Sequence, residues 1–187
     1  MNKTLEMFYE ELEPKSDKGS SHCYIQEYYS KEFSSKRDLP IKLMEIGVRE
    51  GLSHYLWSKF FTKGQIVGVD NGESGFTWDI LNDTKVEIFK TDAYTKSFAD
   101  LWENNFFDYI VDDGSHRVEH QQACIDLFLS KVKPGGKLII EDIQAIEFAM
   151  RLGKYCHNNP LIESFEIHDL REVKDRCDDI LIEIIRK

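Results

Sequence analysis

The sequence predicts an α/β fold with a doubly wound, mostly parallel sheet of seven strands and a reversed hairpin at its C-terminal end. Short apolar runs alternate along the chain with segments of helical spacing, which is typical of a parallel sheet covered by helices on both faces. Two last apolar runs, over residues 161–170 and 179–187, lie close together and indicate the hairpin. Acidic residues follow the earlier strands, so the same pattern indicates where a ligand would bind.

Five strands are predicted before the hairpin from short apolar runs rich in Ile, Val and Phe. They cover residues 41–47, 65–70, 85–92, 106–113 and 137–143. Helical spacing between them predicts helices over residues 52–61, 97–105, 118–132 and 145–156, with a weaker one over 77–82. The Lys-Pro-Gly-Gly stretch at 133–136 is expected to end the helix that begins at residue 118.

The length of 187 residues predicts a single domain over residues 1–187. Residues 41–187 form its core. Residues 1–40 are interpreted as an N-terminal helical extension, in which two amphipathic helices flank a polar loop at 15–21. We expect this extension to pack on the sheet.

The composition argues against several classes of protein. Acidic residues outnumber basic ones by 34 to 24, which gives a net charge of -10 and disfavours general binding to nucleic acid. No apolar run approaches the roughly 20 residues that cross a bilayer, and the acidic N-terminus lacks the apolar stretch of a signal peptide. The four cysteines are scattered, so we expect reduced thiols in a cytoplasmic protein without a membrane segment.

The loop after the first strand, in the sequence MEIGVREGLS, has the character of a nucleoside site without a diphosphate. Its glycines allow close approach of a ligand, but they depart from the Gly-x-Gly-x-x-Gly pattern, and Glu45 would repel a diphosphate. Asp70 at the end of the second strand suits a ribose diol, and Asp92-Ala93 after the third suits an adenine edge. S-adenosylmethionine (SAM) combines ribose and adenine with a positive centre and no phosphate, so it fits this set.

These segments, in this order and spacing, resemble the class I SAM-dependent methyltransferases, and the closing pair of strands resembles the reversed hairpin of that family. The resemblance covers roughly residues 40–187 and implies a Rossmann-like sheet with SAM as cofactor. The cofactor-binding residues that it implies, together with the strand-end acids, are Glu45, Gly47, Gly51, Ser53, Asp70, Asp92, Ala93 and Asp112.

The acids that end the fourth and fifth strands indicate a cation. Successive strand residues point to opposite faces, so Asp112 is expected to face SAM and Asp113 the methyl acceptor. Glu141 and Asp142 add two carboxylates to the same corner, and four carboxylates there require a counter-charge. An all-oxygen ligand set favours Mg²⁺, Mn²⁺ or Ca²⁺.

The pattern Asp113-Gly-Ser-His116 followed by Glu141-Asp142 resembles a narrower group, the metal-dependent sugar O-methyltransferases of macrolide-antibiotic biosynthesis. The resemblance implies Asp113, Glu141 and Asp142 as ligands of Mg²⁺ or Mn²⁺, and His116 as the general base. The segment SDKGSSHCY at 16–24 also resembles a stretch in these relatives, and we expect it to fold over the SAM or acceptor site.

The expected activity is therefore methyl transfer to a hydroxyl of a sugar or glycosylated small molecule. A catechol-type O-methyltransferase and a non-catalytic SAM-binding protein stay open as alternatives. An iron oxygenase is less favoured, because its iron would normally be bound by two histidines and a carboxylate, whereas the ligand set here contains only oxygen atoms. The antibiotic enzymes carry a sizeable extra N-terminal domain, whereas about forty residues precede the first strand here. The identity of the acceptor and the formation of a homo-oligomer stay open for that reason.

Overall fold

A computed structural model describes residues 3–187; the first two residues of the expected extension lie outside the described residues. The strands β1 to β7 are Lys42–Ile46, Gln65–Asp70, Glu87–Lys90, Phe107–Asp112, Val132–Ile140, Ile162–Asp169 and Ile180–Arg186. They form one sheet in the order β3-β2-β1-β4-β5-β7-β6. Strands β1 to β5 are parallel, and β7 lies antiparallel between β5 and β6. The predicted doubly wound sheet and its reversed hairpin are confirmed.

Helices cover both faces of the sheet. The α-helices α1 to α8 are Leu5–Glu11, Asp17–Ser20, Ser30–Phe33, Leu52–Phe60, Lys96–Ala99, Val118–Phe128, Ile146–His157 and Arg171–Lys174. A π-helical turn, Ile25–Tyr29, leads directly into α3. No helix within residues 3–187 is long and apolar enough to cross a membrane.

The strand order reverses between β1 and β4, and this reversal positions the ligand site. The chain continues from β1 to β2 and β3 on one side, and returns to β4 and β5 on the other. The loops that leave the carboxyl ends of β1 and β4 therefore diverge to opposite faces and open a crevice between them.

Two hydrophobic layers enclose the sheet, and the N-terminal helices belong to one of them. On one face, Ile110 and Ile140 pack with Phe128 of α6. On the other face, Tyr29 and Phe33 share a cluster with Trp57 of α4 and with strand residues. The N-terminal helices thus bury aromatic side chains against the sheet, as an extension packed on the core requires.

Two predicted boundaries are wrong for identifiable reasons. The helix expected over 97–105 ends at Ala99, because the backbone hydrogen bonds tighten there into single turns. The N–H groups of Leu101 and Trp102 donate to the carbonyls of Phe98 and Ala99, three residues back. The strand expected over 137–143 begins earlier, at Val132, so the stretch 133–136 lies within β5, where a register shift in the pairing with β4 accommodates it.

Candidate functional site

Two adjoining cavities open at the carboxyl ends of the parallel strands. The larger has a volume of about 690 Å³ and the smaller about 350 Å³. Both are lined by Gly47, Asp70, Asn71 and Gly114, so they meet at the ends of β1, β2 and β4. This is the crevice that the reversal of strand order creates.

The glycine loop after β1 has a shape that a larger residue would not allow. Gly47 has a φ of 94°, and a Cβ atom there would lie 2.1 Å from the carbonyl oxygen of Asp113. Asp70 fastens the same loop, because its Oδ2 accepts from the backbone N–H groups of Val48 and Arg49 at 2.9 and 3.1 Å. Asp70 thus has two positions of interest: it lines both cavities, and it holds the loop between them in place.

Three other residues expected at the cofactor lie around this loop. Gly51, with a φ of 82°, is the N-cap residue of α4, and Ser53 in the first turn of α4 lines the larger cavity. The carboxylate of Glu45 accepts from Ser53 Oγ at 2.6 Å and from Trp57 Nε1 at 2.5 Å. Glu45 has no exposed surface, so it lies beneath the loop rather than on the cavity wall.

The smaller cavity lies on the β2–β3 side and carries an aromatic pair. Asp92 and Ala93 line it, as does Tyr94, whose ring packs against the ring of His120 with a centroid distance of 4.6 Å. The Tyr94 hydroxyl donates to Asp112 Oδ1 at 2.6 Å. Neither Tyr94 nor His120 is among the site residues predicted from the sequence, although each is close to a predicted motif.

Asp112 is buried at the end of β4, below the point where the two cavities meet. Its Oδ2 has no hydrogen-bond partner within the described residues apart from the neighbouring thiol of Cys124. Burial raises the pKa of Asp112 to about 6, against the hydrogen bonds from Tyr94 and Gly114 that favour its ionised form.

The larger cavity contains an acid–histidine triad, formed by Asp113, His116 and Asp142. Each residue of the triad places one potential ligand atom within 4.8 Å of the others. His116 Nε2 lies 3.9 Å from Asp142 Oδ2. Both of these residues adopt a positive φ, 55° for His116 and 50° for Asp142, which is uncommon for non-glycine residues and occurs often at functional sites. Two loops are thus held in an unusual conformation that brings these side chains together.

Glu141 points away from this triad, although it precedes Asp142 in the chain. Its buried carboxylate accepts hydrogen bonds from the ammonium of Lys18 and the hydroxyl of Tyr29. The same ammonium lies 2.7 Å from Asp113 Oδ2 and 3.3 Å from Glu45 Oε1. The sequence reasoning expected a metal as the counter-charge of these acids and missed Lys18.

One ammonium serves three carboxylates in this cluster, and the pKa values reflect the surplus of negative charge. Burial disfavours the ammonium of Lys18, but Asp113, Glu141 and Glu45 outweigh it and hold the Lys18 pKa well above its usual value. Burial raises the pKa of Glu141 to about 7 against the opposing effect of Lys18, and the charges of Glu45 and Asp142 add to the rise. The corner therefore remains favourable for a further positive charge.

The N-terminal segment, residues 15–29, lies over the larger cavity. Lys15, Asp17 and His22 line that cavity. Arg49 of the glycine loop contacts Asp17 Oδ2 at 3.1 Å, and the Tyr24 hydroxyl donates to Asp142 Oδ1 at 2.8 Å. The segment thus connects the cofactor loop to the acid–histidine triad.

The known proteins to which this chain is similar include methyltransferases. The methyltransferase-domain family model matches residues 44–143. Mycinamicin VI 2''-O-methyltransferase of Micromonospora griseorubida is 28% identical over 125 residues, which cover 62% of this chain and 30% of that protein. A tetracenomycin-C rhamnosyl 2'-O-methyltransferase of Streptomyces olivaceus is 28% identical over 147 residues, which cover 75% of this chain and 38% of that protein. The chain thus spans about a third of the length of these curated relatives.

The fold is also shared with a solved structure, the MycE methyltransferase of the mycinamycin biosynthetic pathway in complex with Mg, SAH and mycinamycin VI. The TM-score is 0.72 at 20% identity, and the match covers 97% of this chain and 52% of that one. This match covers the N-terminal segment as well as the sheet.

Proposed function

Because the chain belongs to the methyltransferase-domain family, we propose that it transfers the methyl group of SAM to a hydroxyl of a sugar or glycosylated small molecule. One observation carries the proposal: the acid–histidine triad lies in the larger cavity, directly beside the cofactor loop. The names of the curated relatives, which give O-methylation of mycinamicin VI and of a rhamnosyl tetracenomycin-C, support the choice of acceptor.

The cofactor is proposed to lie across the glycine loop, with its nucleoside in the smaller cavity. Asp70 would accept hydrogen bonds from the ribose hydroxyls, and Asp92 and Ala93 would contact the adenine beside Tyr94. The positive charge of SAM suits the surplus of negative charge at the ends of β1 and β4. Gly47, Gly51, Ser53, Glu45 and Asp112 complete the proposed set by shaping or supporting this surface.

The acceptor is proposed to occupy the larger cavity. Its walls are mainly polar and include Ser20, Gln144, Arg176 and Asp178, which offer hydrogen-bond donors and acceptors to a hydroxyl-rich molecule. A sugar offers more hydroxyl groups to these side chains than an aromatic diol, which has two. A sugar is therefore favoured over a catechol.

The residues of the triad fit a divalent cation. Asp113 and Asp142 keep 22% and 14% of their side-chain surface exposed towards the cavity, and carboxylate oxygens are preferred ligands of Mg²⁺ and Mn²⁺. When bound, such an ion would stabilise the negative charge that develops on the acceptor oxygen. Glu141, the third ligand proposed from the sequence, lies behind them against Lys18.

His116 is proposed to remove the proton of the acceptor hydroxyl. Its imidazole lines the larger cavity next to Asp142, so Nε2 is within reach of a hydroxyl held in that cavity. Removal of the proton makes the oxygen nucleophilic as it attacks the methyl group along the sulfur–carbon axis. The sulfonium is thereby converted to a neutral thioether.

Calorimetry followed by an acceptor panel tests the proposed function. SAM should bind to the purified chain, and SAH should be released with a glycosylated acceptor in the presence of Mg²⁺ but not after chelation with EDTA. Faster release of SAH with a catechol than with a glycosylated acceptor would instead indicate a catechol-type enzyme. If SAM binds but no acceptor leads to the release of SAH, the chain is a non-catalytic SAM-binding protein.

A further inference from the structure

We infer that Lys18 is a permanent counter-ion of Glu141, and that a divalent cation in this chain binds to Asp113 and Asp142 without Glu141. The inference rests on the proposed metal dependence and narrows it to a specific set of ligands. It assigns Lys18 a positioning role that the sequence motif does not indicate.

The Lys18 ammonium is built into the structure. Its side chain is 1% exposed, and its Nζ is within 3.3 Å of carboxylate oxygens from Glu45, Asp113 and Glu141. The backbone around it is held as well, because Ser16 Oγ accepts from the Lys18 N–H and Arg49 contacts Asp17. A side chain held in this way is expected to stay in place when a second cation approaches.

Each carboxylate oxygen of Glu141 already accepts a hydrogen bond from a buried donor. One oxygen accepts from Lys18 and the other from the hydroxyl of Tyr29. Its side chain is 1% exposed, whereas those of Asp113 and Asp142 face the larger cavity. A cation that reached Glu141 would have to displace Lys18 or lie beside it, and two positive charges at that distance repel each other.

The site thus divides into an inner part and an outer part. The inner part contains Glu45 and Glu141, with Lys18 as their cation. The outer part contains Asp142 and the cavity side of Asp113, with Asp113 Oδ2 held by Lys18 from behind. Lys18 therefore orients Asp113 towards the cavity and, by its charge, lowers the affinity of the outer part for a divalent ion.

A titration of the chain with Mn²⁺ alone, in which electron paramagnetic resonance measures the bound ion, tests this division. Glu141→Gln should keep the dissociation constant within about threefold of wild type, while Asp142→Asn should weaken binding by about tenfold or more. Lys18→Met should tighten the binding of Mn²⁺, because it removes a repelling charge and frees the buried carboxylates of Glu45 and Glu141. Adding Glu141→Gln to Lys18→Met should remove much of that gain, because Glu141 becomes a ligand only when Lys18 is absent.

Lys137→Met provides a matched control. Lys137 also bridges two glutamates, with Nζ 2.7 Å from Glu32 and 2.8 Å from Glu183, but it lines neither cavity. Its replacement should leave Mn²⁺ affinity unchanged. Thermal denaturation of each variant checks folding, and if Lys18→Met does not fold, the comparison of Glu141→Gln with Asp142→Asn decides alone.

The inference is overturned if Glu141→Gln weakens Mn²⁺ binding as much as Asp142→Asn does, or if folded Lys18→Met binds Mn²⁺ more weakly than wild type. It is also overturned if the wild-type chain binds no Mn²⁺. Release of SAH in the presence of EDTA is measured separately, so a chain that transfers methyl groups without a metal would refute this inference and leave methyl transfer intact.

Discussion

The hydroxyl of Tyr24 lies 2.8 Å from Asp142 Oδ1 and joins the N-terminal segment to the loop after β5. The two residues are 118 positions apart in the chain, and Asp142 holds an uncommon positive φ. The N-terminal segment is thus a structural part of the acid–histidine triad.

Tyr24→Phe should lower the rate of methyl transfer. Removal of the hydroxyl frees Asp142 Oδ1, and the loss of such an outer hydrogen bond to a metal ligand typically costs about 10- to 100-fold in affinity or activity. Tyr155→Phe is the control, since Tyr155 also donates to an aspartate, Asp126, but at a distant exposed site. Equal rates for the two variants would show that Asp142 does not need Tyr24.

Asp70→Ala should weaken the binding of SAM by about tenfold or more, because hydrogen bonds to a charged group contribute roughly 1.5–3 kcal/mol. The carboxylate has two roles here, as a ribose acceptor and as the fastening of the loop at Val48 and Arg49. Calorimetry with SAM measures the effect, with the exposed Asp83→Ala as control. If Asp70→Ala retains wild-type affinity, SAM does not use this strand end.

His116→Ala should lower kcat by about 100- to 10,000-fold if the imidazole acts as general base. The affinity for SAM should be nearly unchanged, because His116 lines the larger cavity and not the smaller one. Steady-state kinetics with a glycosylated acceptor measure kcat, and the exposed His157→Ala serves as control. Unaltered kcat in the His116 variant would place the base elsewhere.

Gly47→Ala should destabilise the fold more than Gly75→Ala does. Both glycines have positive φ, 94° and 72°, so alanine incurs a conformational cost of about 1–2 kcal/mol at either position. At Gly47 the new Cβ would also clash with the backbone carbonyl oxygen of Asp113, at 2.1 Å. At Gly75 no atom lies within 4 Å of the new Cβ. Thermal melts separate the two effects, and equal losses of stability would contradict the close contact between β1 and β4.

The sequence was sufficient for the strands and for the rim of acids, because both depend on local patterns. Apolar runs that lead into acids mark β2, β3, β4 and β5, and a parallel sheet places their carboxyl ends at one edge. The end of the short helix α5 was less accessible, since the helical spacing continues beyond Ala99 while the backbone hydrogen bonds of Leu101 and Trp102 already reach back only three residues.

The interior of the candidate site could not be predicted in the same way. Glu141 and Asp142 are adjacent, yet the positive φ of Asp142 directs one towards Lys18 and the other towards the cavity. Lys18 reaches Asp113 across 95 positions of the chain, and no local pattern encodes such a contact. The same is true of the pairing of Tyr94 with His120.

Mass spectrometry of an acceptor incubated with SAM that carries a deuterated methyl group tests the central claim most directly. The account predicts that a glycosylated acceptor gains the labelled methyl on a sugar oxygen when the wild-type chain and Mg²⁺ are present. The Asp113→Asn and Asp142→Asn variants should give far less product, because these carboxylates are the proposed cation ligands. Labelled product at the wild-type rate from both variants, or no labelled product from any hydroxyl-bearing acceptor with a chain that binds SAM, would contradict it.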